Sequence, residues 1–221
     1  QASILVGDLI YSRASEIMAA SGELELVEIF AKAIRLMSEG ELLQLEHTFC
    51  LDISLQIYLD IASYKTASLI ATVCRAAGVL AHLEEKKKKA LESFGFNVGI
   101  AFQIVDDALD YQVQSKTLGK KPLADLQEGK VTLPIILLRD LASKSELSRM
   151  QEVFSLEKDE YLKSLDDLEE LVRKYKTVEK SVEYAKTYSL AAQDTLKASF
   201  PASKERKSLE DLTATLVLRM N

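Results

Sequence analysis

Three carboxylates fall within five residues at Asp106, Asp107 and Asp110, near the end of an apolar, helix-periodic run that includes Gln103-Ile104-Val105. A repeat of about 3.6 residues per turn puts Asp106 and Asp110 one turn apart on one face, with Gln103 beside them and Asp107 roughly 100° around. Gly99 and Gly95 fall on that face too, a smooth floor leading to an acidic mouth, against which something bulky can lie. Like charges a turn apart repel by roughly 0.2–0.5 kcal/mol, and near a helix C-terminus they also oppose the macrodipole. A bound cation reverses that sign. Hard oxygen ligands from one or two side chains suit Mg²⁺, which keeps waters and takes further ligands from phosphates. An acidic, solvated helix end satisfies the same spacing, and spacing alone leaves both readings open.

The segment that follows, Leu118 to Pro134, reads as a loop because it holds two glycines and Pro122. It carries Lys120, Lys121 and Lys130 directly after the acidic helix end. Carboxylates that hold a metal and lysines that hold an anion are what a metal-bound diphosphate requires. Alone, such lysines are ordinarily solvated; their order after the acidic cluster favours the diphosphate reading.

These residues resemble the all-trans polyprenyl diphosphate synthases. Gly99 through Asp110 is similar to the family's second aspartate-rich motif, and Gly119-Lys120, Asp125-Leu126, Gly129-Lys130, Thr132 and Pro134 are similar to its downstream loop. Upstream, Tyr64-Lys65-Thr66-Ala67 resembles the lysine-threonine pair, and Glu39-Gly40-Glu41-Leu42-Leu43-Gln44 the glycine-glutamate helix. Gly7-Asp8-Leu9-Ile10 and Arg13-Ala14 also fit, so the resemblance spans most of residues 3 to 135.

The resemblance implies a Mg²⁺-dependent prenyltransferase that joins isopentenyl diphosphate to an allylic diphosphate, head to tail, to make a medium or long all-trans polyprenyl diphosphate. It implies Asp106, Asp107 and Asp110 at a Mg²⁺, with Asp107 as ligand or outer partner. Lys65, Lys120 and Lys130 would then sit on the diphosphate, with the oxygens of Thr66 and Gln103 toward the allylic cation. A cytoplasmic homodimer is implied as well, with a helix such as Leu24 to Leu45 at the interface. The family's first aspartate-rich motif and paired arginines lie upstream of the segment resembling Gly7-Asp8, and this chain begins at Gln1. The expectation is therefore the C-terminal portion of a longer protein, or one whose N-terminal segment was cleaved or left out, with half of an active site. Two other readings stand beside the synthase: a non-catalytic subunit or fragment that pairs with a complete partner, and a terpene cyclase. The Lys65-Thr66 pair and the lysine loop weigh against the cyclase.

The elements that must position these residues read as helices. Apolar residues recur at three and four through Ser3 to Ala20, Leu24 to Leu45, Leu55 to Leu80 and Glu84 to Tyr111, with Asp52 or Ser54 available to cap the third. Further helices fit Leu133 to Ala142, Ser145 to Phe154, Lys158 to Tyr175, Val178 to Ser199 and Lys204 to Met220. Short breaks between long helices predict one all-α domain over residues 1–221, a bundle of mostly antiparallel helices around a central apolar cavity, of the isoprenoid synthase type. The Lys- and Glu-rich C-terminal third reads as a covering layer.

At 221 residues the chain can bury one sizeable core, and its net charge of -6 argues against a nucleic-acid role. No apolar run reaches the roughly 18 residues that span a bilayer. Cys50 and Cys74 sit in apolar helical patterns and read as reduced core residues. Lys86 to Lys89 reads as a solvated first turn and Asp166-Asp167 as surface. His47 and His82 fall at helix breaks without ligand-spaced partners and are given no chemistry.

Overall fold

The structure, a computed structural model, describes residues 2–111 and 123–218. Among these the regular elements are all helical: α1 (Ala2–Ala20), α2 (Leu24–Glu46), α3 (Leu55–Ala62), a π-turn (Ser63–Ala67), α4 (Ser68–Leu80), α5 (Glu85–Leu109), α6 (Ala124–Gln127), α7 (Leu133–Leu141), α8 (Lys144–Phe154), α9 (Lys158–Lys163), α10 (Leu165–Tyr175), α11 (Thr177–Ser199) and α12 (Lys204–Leu218). The all-α expectation holds. No described helix is long and apolar enough to cross a membrane.

Helix α5 runs through the middle of the molecule. Its apolar stripe, Ile100, Ile104 and Ala108, is at most 1% exposed and joins one core with Leu126, Leu133, Ile136, Leu138, Met150 and Leu168. Helix α11 lies along α5 and buries Ala185, Ser189, Ala192 and Leu196. The C-terminal third is thus part of the central packing, not a covering layer. Its small side chains let two helix backbones approach, a contribution that a Lys- and Glu-rich composition conceals.

Helices α2 and α4 are tied to α5 by charge. Arg75 on α4 reaches Glu25 of α2 at 2.6 Å, Glu85 at 3.0 Å and Glu92 at 3.1 Å, and Lys88 pairs with Glu25 at 2.7 Å. Lys88 is therefore a partner in this network rather than a solvated residue. Helix α1 is outermost: it buries no residue, stacks Tyr11 on Phe30 of α2, and leaves Ile4, Leu5, Leu9, Ile10 and Ile17 exposed.

Two helices expected to be continuous are divided. Lys158 to Tyr175 breaks at Ser164 into α9 and α10. Leu55 to Leu80, capped by Ser54 through the Ile57 amide at 3.2 Å, is interrupted by the π-turn, where the Ser68 amide bonds to the Ser63 carbonyl. Single π-turns inserted into α-helices occur often at functional positions, and this one carries Lys65 and Thr66. Cys50 and Cys74 are free thiols, as expected, but half-buried rather than in the core.

Candidate functional site

The π-turn is gripped between two glycines. A Cβ on Gly99 of α5 would stand 2.4 Å from Ala67 Cα, and one on Gly40 of α2 would stand 2.7 Å from Tyr64 Cβ and 2.9 Å from the Lys65 amide nitrogen. Only residues without side chains allow such backbone approach. The smooth floor at Gly95 and Gly99 thus receives the segment bearing Lys65 and Thr66, together with the start of α4, rather than a ligand. The packing puts Thr66 against Gln103: its hydroxyl donates to Gln103 Oε1 at 2.5 Å, and Gln103 Nε2 donates to Asp107 Oδ1 at 2.7 Å.

The three aspartates end α5 in three environments. Asp106 is exposed. Asp107, 5% exposed, accepts from Tyr58 Oη at 2.6 Å through Oδ2 and from Gln103 through Oδ1. Burial pushes its carboxyl up to about 7; the Tyr58 and Gln103 hydrogen bonds oppose the rise, and the Asp125 and Asp106 charges add to it. Asp110 turns to the next element: Oδ1 accepts from the Ala124 amide at 3.1 Å and Oδ2 from the Asp125 amide at 2.9 Å, capping α6.

Helix α6 then delivers Lys130. Its end has the Schellman pattern, with the Gly129 amide on the Leu126 carbonyl at 2.8 Å, the Lys130 amide on the Asp125 carbonyl at 2.9 Å, and Gly129 at φ +75°. Lys130 Nζ lies 2.6 Å from Glu128 and 3.4 Å from Asp125. Burial alone would push the ammonium down; the two carboxylates outweigh it and hold Lys130 above the usual lysine value. Lys65 donates to Gln44 Oε1 and pairs with Glu41 at 2.6 Å.

One pocket brings these groups together; its polar wall includes Gln44, Tyr58, Lys65, Gln103, Asp107 and Lys130. The two lysines suit an anionic ligand, while Tyr58 and Gln103 direct their donors to Asp107. Of the residues singled out by sequence, Lys65, Gln103, Asp107 and Lys130 line this pocket, and Thr66 reaches it through Gln103. Asp106 and Asp110 stand outside its wall, and Lys120 lies outside the described residues. Among the described residues no three His, Cys, Asp or Glu side chains converge closely enough to hold a cation alone. The donor chemistry nevertheless fits Mg²⁺, which uses one or two carboxylates and completes its shell with water and phosphate oxygens.

Three participants were missed. Gln44 stands within the glycine-glutamate motif and was legible there. Tyr58 had no sequence signal, being 49 residues from its partner Asp107. His47, given no chemistry, also lines the pocket, with Nδ1 2.9 Å from the Leu43 carbonyl oxygen.

An all-helical bundle with lysines and amides around a carboxylate, beside an acidic helix end, is the architecture of the isoprenoid synthases, and comparison with known proteins agrees. The polyprenyl synthetase family model matches residues 1–192. The octaprenyl diphosphate synthase of Escherichia coli (strain K12) is 40% identical over 135 residues, 61% of this chain and 42% of that protein. A prenyl transferase of Cyanophora paradoxa is 34% identical over 220 residues, 99% of this chain and 65% of that one. The crystal structure of a decaprenyl diphosphate synthase from Rhodobacter capsulatus superposes with a TM-score of 0.87 at 32% identity, covering 99% of this chain and 67% of the other. A polyprenyl synthase from Caulobacter crescentus CB15, complexed with calcium and isoprenyl diphosphate, gives 0.87 at 35% identity, covering 97% of this chain and 65% of that one. The chain belongs to the all-trans polyprenyl synthase family, and it spans 42–65% of the length of these two curated relatives.

Proposed function

We propose that this chain acts, as one all-helical domain, in a polyprenyl diphosphate synthase that condenses an allylic diphosphate with isopentenyl diphosphate, head to tail, giving a medium or long all-trans product. The observation that carries the reading is the convergence of Lys65, Lys130, Gln44 and Gln103 on one pocket around Asp107, which Asp106 and Asp110 flank in the sequence. The octaprenyl and decaprenyl relatives support the product class, and the Caulobacter complex with calcium and isoprenyl diphosphate supports a divalent-metal diphosphate site.

The allylic C–O bond breaks with its electron pair leaving on diphosphate, a carbon-carbon bond forms to isopentenyl diphosphate, and a proton is lost to the departing diphosphate. Lys65 and Lys130 hold that diphosphate by charge-assisted hydrogen bonds, which strengthen as negative charge develops on it. Asp106 and Asp110 are the residues that would hold Mg²⁺, with Asp107 as their buried outer partner; when bound, the metal neutralises charge on the leaving group. Thr66 and Gln103 set oxygens near the allylic carbon, Gln103 being oriented by Asp107. Lys120 is proposed for the same diphosphate on the family resemblance. A homodimer in the cytoplasm completes the proposal, the exposed apolar face of α1 and the outer side of α2 supporting an interface there.

The test is Mg²⁺-dependent incorporation of labelled isopentenyl diphosphate into extractable lipid from a farnesyl primer, with Asp106→Ala as control. Incorporation that vanishes in the control is expected, and product size reads the chain length. A folded protein with no incorporation would favour the non-catalytic subunit instead.

A further inference from the structure

Phe49 occupies a position that its residue type does not favour. It lies in the connection from α2 to α3 at φ +59°, the left-handed region that glycine or asparagine enters with least strain. Non-glycine residues persist there when their surroundings hold them, and such positions gather at functional sites.

What holds Phe49 is the segment that delivers Lys130. The Phe49 amide donates to the Gly129 carbonyl at 2.7 Å. Its ring lies over Gly129 so closely that a Cβ there would meet ring atoms at 2.5–2.6 Å. The ring edge packs on Tyr161 at 5.1 Å between centroids, and Tyr161 packs on Phe154 at 5.6 Å. Tyr161, fully buried, donates its hydroxyl to the Leu126 carbonyl at 2.8 Å, the same oxygen that receives the Gly129 amide. Gly129 is thus clamped from above by a ring and from behind by a hydrogen-bonded carbonyl, and the next residue is Lys130.

We propose that Phe49 is a positioning residue for Lys130: its ring and amide latch Gly129, and so fix where the Lys130 ammonium meets the diphosphate. The inference rests on the proposed function. Phe49 does not line the pocket and acts only through the backbone that carries the lysine. Displacement of a binding group by about an ångström can lower activity up to about a hundredfold, so a latch one residue away has a measurable effect.

The experiment measures binding of inorganic diphosphate in the presence of Mg²⁺ by calorimetry. Phe49→Gly removes the ring at a φ that glycine accepts, so the fold and the backbone bond to Gly129 are kept while the ring's part of the latch is lost. Binding about tenfold weaker than in the parent chain is expected, with Lys130→Ala adding little in the Phe49→Gly background, because the lysine is already misplaced. Gly129→Ala supplies the reciprocal variant: at φ +75° alanine is strained in either background, but the ring adds a clash only in the parent chain, so the loss of binding should be larger there than in Phe49→Gly. Parent-like affinity in Phe49→Gly, or fully additive losses with Lys130→Ala, overturns the latch and leaves the synthase reading standing. No diphosphate binding by the parent chain overturns both.

Discussion

Removing Asp110 should cost stability where removing Asp106 does not, although both are proposed for the same metal. Asp110 accepts the Ala124 and Asp125 amides at 3.1 and 2.9 Å, whereas Asp106 is exposed. Loss of a helix cap to alanine costs about 0.5–2 kcal/mol. Two charge-assisted bonds could be worth more, but both amides belong to half-buried residues that water can reach once the carboxylate is gone. Relief of repulsion from Asp106 a turn away returns roughly 0.2–0.5 kcal/mol, leaving about 1 kcal/mol of destabilisation. For a chain of this size that lowers the melting temperature by about 2–4 °C. Asp106→Ala, which loses only the repulsion, should melt unchanged or slightly higher. The assay is thermal unfolding by circular dichroism in a chelator, which keeps cations out of the comparison, with Asp110→Asn expected between parent and alanine. Equal melting of the two alanine variants would refute the reasoning, since it would mean that Asp110 holds nothing in place without a cation.

Two further perturbations follow from the same geometry. Asp107 has an ordinary value of 3.8 and a folded value of about 7. The folded chain therefore keeps a proton that the unfolded chain has lost, and metal-free stability should fall as pH rises from about 4 to 7, by at most on the order of 4 kcal/mol; urea unfolding across this range should show the slope in the parent and lose it in Asp107→Asn. Gly99→Ala gains about 1 kcal/mol of helix propensity but sets a methyl 2.4 Å from Ala67 Cα, an overlap costing about 1–3 kcal/mol, so its urea midpoint should drop, and a rise would show that the π-turn is not held by this contact.

Much of the bundle was legible because α5, α2 and α11 keep their apolar spacing for many turns, and the order of acidic helix end, loop and lysine could be read directly. The role of Asp107 was partly readable too: it lies three residues after Ile104 and seven after Ile100, on the buried stripe itself, so a carboxylate there had to find partners in the core. Its partner Tyr58 could not be read, because a contact across 49 residues leaves no local pattern. The π-turn was hidden for another reason. Apolar residues continue through Ser63–Ala67 at spacings that suit an unbroken α-helix, and only packing between Gly40 and Gly99 selects the wider turn. Helix α6 lies inside a stretch whose glycines and proline read as a loop, because four residues give periodicity nothing to act on; its cap and its end come from Asp110 and Gly129.

The turn at Ser63–Ala67 also sets a boundary for engineering. Deleting one residue would restore regular α-helical bonding, a natural step in designing a more heat-resistant chain, and the helices on either side would keep nearly their present orientation, because the wider turn is what accommodates the extra residue. What would be lost is the local geometry of the turn itself, by which Lys65 meets Gln44 and Glu41 and Thr66 meets Gln103. Thermostabilised variants of this protein should therefore be sought among surface and cap substitutions elsewhere, with the length of this segment left unchanged.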